Sequence, residues 1–268
     1  MKKYFAVLML AVLFASCTSD DDDTNAVDLD VSTGNYLPLT DGNYWKYNVG
    51  GDLQTGSDSL YIQGDVALSG HTYKRFQTDE PAIGFYSSAL SNNGVRKEGD
   101  RLLLNGTAMM SFVSDFPLTI NLDDFVILNE SEPNGAVLAT VSGSIPYVFE
   151  GYTFNFNYTL TSSAMEHQST FTTPDGEAYN DVKPVMLKLN VSVETVLTGG
   201  GFSIPVTIMA PQDVIVSTRY FAKDVGVVYS STDIHYELED FASNGVQLPM
   251  PQSFSAEQDE ILVEYQAD

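Results

Sequence analysis

The stretch Tyr152-Thr153-Phe154-Asn155-Phe156-Asn157-Tyr158-Thr159-Leu160 puts four rings and a leucine at every second position, with Thr or Asn between them. Successive side chains of a strand point to opposite faces, so this spacing builds a β-strand with one aromatic and one polar face. A helix would scatter the same rings around its circumference. The period recurs along the chain. Val185, Leu187, Leu189, Val191 and Val193 alternate with Lys188, Asn190, Ser192 and Glu194. After Gly199-Gly200-Gly201 the alternation resumes in Phe202, Ile204, Val206 and Ile208, which predicts a hairpin with a glycine turn. Residues 59–67 and 72–77 flank Leu68-Ser69-Gly70, and residues 94–97 and 101–104 flank Glu98-Gly99-Asp100. Further strands are expected over 214–222, 225–229 and 234–241. Short loops of this kind join antiparallel neighbours.

The expectation is therefore an all-β fold, one antiparallel curved sheet or partly open barrel over residues 36–242, with a β-sandwich as the alternative. Period-two patterning is common to all three. Residues 243–268 are rich in Pro and polar side chains and read as a polar C-terminal tail, with a marginal helix or edge strand over 256–265. The face formed by Tyr152, Phe154, Phe156 and Tyr158 has two readings. It is packed core, or it lines a cavity for an apolar ligand.

Residues 1–16 begin with Lys2 and Lys3 and continue in an apolar run from Tyr4 to Ala15, the layout of an export signal. The run is too short to cross about 30 Å of hydrocarbon, which takes about 20 residues. The signal ends in Phe14-Ala15-Ser16-Cys17, and Cys17 is the one cysteine of the chain. This segment resembles the lipobox of bacterial lipoproteins, although Phe14 stands where Leu is commonest. The resemblance implies cleavage before Cys17 and a diacylglycerol on its thiol. Residues 17–35 then read as an acidic disordered tether, because Asp20, Asp21, Asp22 and Asp23 repel one another with no counter-charge. The four acids resemble the export tag of Bacteroidota-type surface lipoproteins, which implies display on the outer face of the outer membrane; a plain tether at the periplasmic face is the alternative.

The chain carries 36 acids against 12 Lys and Arg, a net charge of −24, and loss of Lys2 and Lys3 with the signal takes it to −26. Such a charge argues against nucleic acid and anionic lipid surfaces as partners, since both are bound through basic patches. With 43% hydrophobic residues there is ample material for a core, and with Cys17 lipidated no disulfide is expected.

Two segments carry a wider resemblance: Pro38-Leu39-Thr40-Asp41-Gly42-Asn43-Tyr44-Trp45-Lys46-Tyr47 near the start and Tyr220-Phe221-Ala222-Lys223-Asp224-Val225-Gly226-Val227-Val228 near the end. With Asp115-Phe116-Pro117-Leu118, they are similar to a widespread group of secreted bacterial lipoproteins. The resemblance implies an antiparallel, partly open barrel, distantly similar to the lipoprotein-carrier architecture, and it implies no activity. The triplet Asp58-Ser59-Leu60 resembles an O-glycosylation acceptor of Bacteroidota-type bacteria, with Ser59 as the candidate residue.

Signals of chemistry are scarce. No Gly-x-Ser-x-Gly elbow and no Cys–His pair is present, His71, His167 and His235 lie far apart, and Gly199-Gly200-Gly201 lacks the Lys and Ser or Thr of a phosphate loop. His235 and Glu237 share a strand face, and Asp28-Leu29-Asp30 opens like a calcium loop but has Thr33 where glycine is required. Asp123-Asp124 is a further candidate for surface calcium. No catalytic residue, metal site or cofactor is nominated. The expected role is non-enzymatic binding of an apolar ligand or a glycan, with an interaction subunit of an envelope complex as the alternative and an enzyme of unrecognised type behind both. Cys17→Ser is expected to leave the membrane fraction or accumulate as uncut precursor in fractionation. A variant that stays membrane-bound at the mobility of the mature form would show that the thiol carries no anchor.

Overall fold

The computed structural model describes residues 34–111, 117–149, 151–199, 202–240 and 251–268. Apolar residues at alternate positions need a partner sheet face to cover them, and short turns leave each strand beside its neighbour in sequence. The elements follow in that order: β1 (Tyr44–Gly51), β2 (Gly56–Leu68), β3 (His71–Thr78), α1 (Phe85–Leu90), β4 (Gly94–Glu98), β5 (Arg101–Ser111) and β6 (Pro117–Asn129). Then come β7 (Val137–Phe149), β8 (Tyr152–Ala164), β9 (Gln168–Thr172), β10 (Ala178–Gly199), β11 (Phe202–Ala222), β12 (Gly226–Glu237) and β13 (Ser253–Gln266). Every ladder is antiparallel, in the order β6-β5-β4-β3-β2-β1-β13-β12-β11-β10-β8-β7, with β9 beside the first part of β10.

This is one curved sheet closed almost into a barrel, not two stacked sheets. Its two ends, β6 and β7, are consecutive in the chain and lie side by side, with no backbone ladder between them among the described residues. Ser162 of β8 bridges the seam, donating its buried hydroxyl to the Val126 carbonyl of β6 at 2.5 Å.

The segment 253–266 corrects the expected tail. It is β13, paired with β1 on one side and β12 on the other, and it joins the N-terminal half of the sheet to the C-terminal half. Its inward residues are Ala256, Gln258, Glu260 and Leu262, all buried. Two of the four are polar, which hides the period-two signal on which the sequence reading depends.

Register distinguishes the two ends of the barrel. Tyr44 pairs Gln266 at the base, whereas Gly51 pairs Gln258 towards the mouth. The base is closed by Tyr36, Leu37, Trp45, Phe221 and Val227, all buried. Trp45 stacks on Phe76 with centroids 5.9 Å apart and donates Nε1–H to the Val225 carbonyl at 2.6 Å. Tyr47 donates its hydroxyl to Val227 O at 2.8 Å. The opening and late segments that carry the sequence resemblance are thus in direct contact. Gly226 has φ +116°, and a Cβ there would lie 2.7 Å from Trp45 Nε1, so the indole fits only against glycine.

At the mouth the β7–β8 and β10–β11 hairpins outgrow the barrel. Along β8 the inward row fades from buried Leu160, through half-buried Tyr158, Phe156 and Phe154, to Tyr152, which is 48% exposed. Trp45→Ala removes a buried ring and leaves the Val225 carbonyl without its donor. It is expected to lower unfolding free energy in urea by about 3–5 kcal/mol; a loss under about 1 kcal/mol would show that the base is held elsewhere.

Candidate functional site

The inner face of β11, β12 and β13 carries a polar belt. Cross-strand pairing sets Arg219 beside Ser230 and Ser230 beside Glu260. One step towards the mouth, Ser217, Thr232 and Gln258 form a second row, with Thr232 Oγ1 donating to Ser217 Oγ at 2.9 Å. All six side chains are buried. The opposite wall is carbon: Leu104 and Ala108 of β5, Leu122, Phe125 and Ile127 of β6, Leu160 of β8 and Leu187 of β10.

Helix α1 lies between the two walls. It is six residues long, and its flanking Gly84 makes no side-chain cap of its own. The exposed amides at its start are taken instead by the belt and by Asp58 on β2. Asp58 accepts Ile83 N–H at 3.0 Å and Gly84 N–H at 2.7 Å. Gln258 accepts Phe85 N–H at 2.8 Å and donates to Ile83 O at 3.1 Å. Glu260 accepts Tyr86 N–H on one oxygen, and Ser87 N–H and the Ser87 hydroxyl on the other, the last at 2.6 Å. A Cβ on Gly84 would fall 2.3 Å from the Glu260 carboxylate, so this approach requires glycine. Asp58 and Glu260 are two buried acids in one interior, but all four of their oxygens are engaged by these donors.

Burial pushes the Glu260 carboxyl up to about 7, against the hydrogen bonds from Ser87 and Tyr86 that favour its ionised form. Burial also lowers the Arg219 guanidinium, partly offset by Tyr86 and Glu260. Arg219 is 3% exposed and lies over the Tyr86 ring, 5.3 Å from its centroid. Its Nε and Nη2 meet no acceptor among the described residues, and the Ser230 hydroxyl makes no hydrogen bond there. Such orphans are uncommon in native interiors, and each calls for a physical reason. Arg219 borders a narrow cavity whose other lining is the carbon wall and Ala89 of α1. The cavity has room for about one water molecule.

A wider, open depression lies near the base, between residues 128–134 and 164–167, beside Lys183. Its two basic groups are already paired, Lys183 with the Glu130 carbonyl and His167 with Asp181, which makes the interior the stronger candidate.

Cys17 and Asp20, Asp21, Asp22 and Asp23 lie outside the described residues. Tyr152, Phe154, Phe156 and Tyr158 share the inner face with Leu160, so their row runs from the mouth to the cavity. Ser59 lies on the outer face of β2, half-buried, while Asp58 and Leu60 of the same triplet turn inward. His235 and Glu237 are exposed, and no three His, Cys, Asp or Glu residues gather as metal ligands among the described residues. Asp124 is held by Arg96 and Tyr73, and Asp123 accepts Asn105 Nδ2–H at 2.7 Å, so the protein occupies both. Sequence reasoning missed Arg219 and Glu260. The available signal was parity: Arg219 falls in phase with buried Ile215 and Phe221, and Glu260 with Ala256 and Leu262. No family model, curated protein or solved structure matches the chain.

Glu260 sets a pH dependence. Its carboxyl titrates near 4.5 when unfolded and about 7 when folded, so the native state binds the extra proton. Its contribution is full below about pH 4.5 and is lost as pH rises through about 7, up to about 3 kcal/mol. Carboxyls held below their ordinary range, such as Asp124 by Arg96 and Asp213 by Asn190 and Lys188, act only at lower pH. Urea midpoints are expected to fall between pH 5 and pH 8 in the wild type and to flatten in Glu260→Gln. An equal fall in both would assign the titration to another group.

Proposed function

We propose that the chain is a lipid-anchored protein of the bacterial cell envelope, held through Cys17 and displayed at the outer-membrane surface, that binds a small apolar ligand inside its barrel without transforming it. The observation that carries the reading is the inner face itself. It runs from Tyr152 at the mouth, through half-buried Phe154, Phe156 and Tyr158, to Leu160 and the carbon-lined cavity beside Arg219. Small-molecule sites combine an apolar lining with a few placed polar groups, and this interior does so. An aromatic face directed at a carbon wall fits an apolar ligand better than a glycan.

The cavity is too small for a ligand while α1 is in place, so the ligand takes the room of the α1 segment. That segment is tied to the barrel by side-chain hydrogen bonds to its amides, which water can replace. It serves as a plug at the mouth.

A second reading is an interaction subunit of an envelope complex. Met109 of β5, and Val148, Tyr152, Val196, Leu197 and Ile204 of the long hairpins, are exposed towards the mouth. In so acidic a chain, these apolar ends favour a protein partner with a neutral, apolar face.

The neutral dye N-phenyl-1-naphthylamine separates the two. The interior reading expects one saturable site per chain, weakened at least tenfold by Ala108→Leu or Leu160→Phe, which fill the cavity from the barrel wall, and unchanged by Met109→Ser. Both filling variants should melt no lower than the wild type by more than a few degrees. Absence of a saturable site, or sites lost with Met109→Ser and kept in both filling variants, would overturn it.

A further inference from the structure

We infer that the ligand has an anionic head, a monocarboxylate, received by the Nε–H and Nη2–H pair of Arg219. This rests on the reading of the barrel interior as the binding site. Nε and Nη2 are the adjacent donors on one side of the guanidinium, spaced to meet the two oxygens of a carboxylate. The same chain shows what that pair takes when filled. Arg96 holds both oxygens of Asp124 with its Nε at 3.0 Å and its Nη2 at 2.8 Å. The corresponding pair on Arg219 is buried and meets no acceptor among the described residues.

The nearest acid does not fill it. Glu260 lies close enough to favour the charged guanidinium, but its oxygens are engaged by Tyr86 and Ser87. The other unsatisfied group on the barrel wall is the Ser230 hydroxyl, next to Arg219 across the ladder, and it can donate to the same anion. Single charge is favoured over double, because Arg219 is the one cation of the buried belt and a carbon wall solvates no excess. Below about pH 7 Glu260 is protonated and adds no second anion beside the guanidinium. The barrel wall beside Arg219, formed by Leu104, Ala108, Leu122, Phe125, Leu160 and Leu187, offers nothing polar and suits a hydrocarbon tail.

The test compares octanoate with 1-octanol, which has the same chain and no charge, as competitors of the naphthylamine dye at pH 6, where octanoate is ionised and Glu260 is mostly protonated. The full chain carrying Cys17→Ser keeps the protein's own lipid out of the assay. Octanoate is expected to displace the dye at a concentration at least tenfold lower than octanol. Arg219→Met should erase that difference by weakening octanoate alone, and should melt at or above the wild type because it removes an unpaired buried charge. Equal displacement by the two competitors in the wild type would overturn the head-group assignment and leave the apolar site standing. Failure of both competitors, together with absence of a saturable dye site, would overturn both readings. Undiminished octanoate binding by Arg219→Met would mean that Arg219 holds a structural water only.

Discussion

A barrel lined with carbon must satisfy every polar group that the chain carries into it, and here the chain carries in the amides of residues 83–87. Asp58, Gln258 and Glu260 satisfy all five. Much of the remaining structure follows from this. Gln258 and Glu260 stand on the inner face of β13 where apolar residues would otherwise be placed. Gly84 lacks a Cβ because the Glu260 carboxylate is there. The strand that supplies two of the three receptors is also the one that links β1 to β12, so the helix and the closure of the sheet depend on the same residues.

The two ends of the barrel are built from different forces. At the base, Trp45, Tyr36, Leu37, Phe221 and Val227 bury large apolar surface, and two ring donors are spent on backbone carbonyls of the late segment. Burial of this kind is lost all at once, since leaving one ring exposed opens the contacts of the next. At the mouth, α1 buries Tyr86 and Leu90, but its attachment to β2 and β13 is mainly through hydrogen bonds with a modest net worth each. Local opening draws on the regions of lowest stability. A barrel made this way opens first at α1, the end towards which the aromatic row of β8 also leads.

Strand existence was legible because most strands alternate cleanly. Residues 185–193 and 152–160 carry their inner faces in plain apolar code, and the structure places both as expected. β13 was legible only as a marginal helix or edge strand over 256–265, because its pattern is Ala-Gln-Glu-Leu on the inner face and its apolar Ile261 and Val263 face out. Its polar residues make sense only against α1, more than 170 residues away in the chain. α1 itself is a single short stretch with no cap of its own, below the length at which helical periodicity can be read. Closure of the sheet was not legible from periodicity for a related reason: the hydroxyl that bridges the seam, Ser162, has nothing in its own segment to mark it.

Arg219 raises the sharper question of why such a residue is kept. A buried cation without its hydrogen-bond partner is destabilising by several kcal/mol, and replacing it with an apolar side chain of similar size often stabilises a fold. The surroundings do reduce the cost: the Tyr86 ring lies against the guanidinium and Glu260 lies within electrostatic reach. Both leave its Nε–H and Nη2–H donors without an acceptor among the described residues. If Arg219 served only the fold, the inexpensive arrangement would pair it with Glu260, which sits two strands away in the same cross-strand row. Instead Glu260 is committed to α1, and the adjacent Ser230 hydroxyl is equally unfilled. The Nε–H and Nη2–H of Arg219 and the Ser230 hydroxyl, beside a carbon-lined cavity and without acceptors among the described residues, are what the proposed ligand would satisfy. The fold forgoes stability at this patch, and that is the physical ground for reading it as a binding site rather than as core.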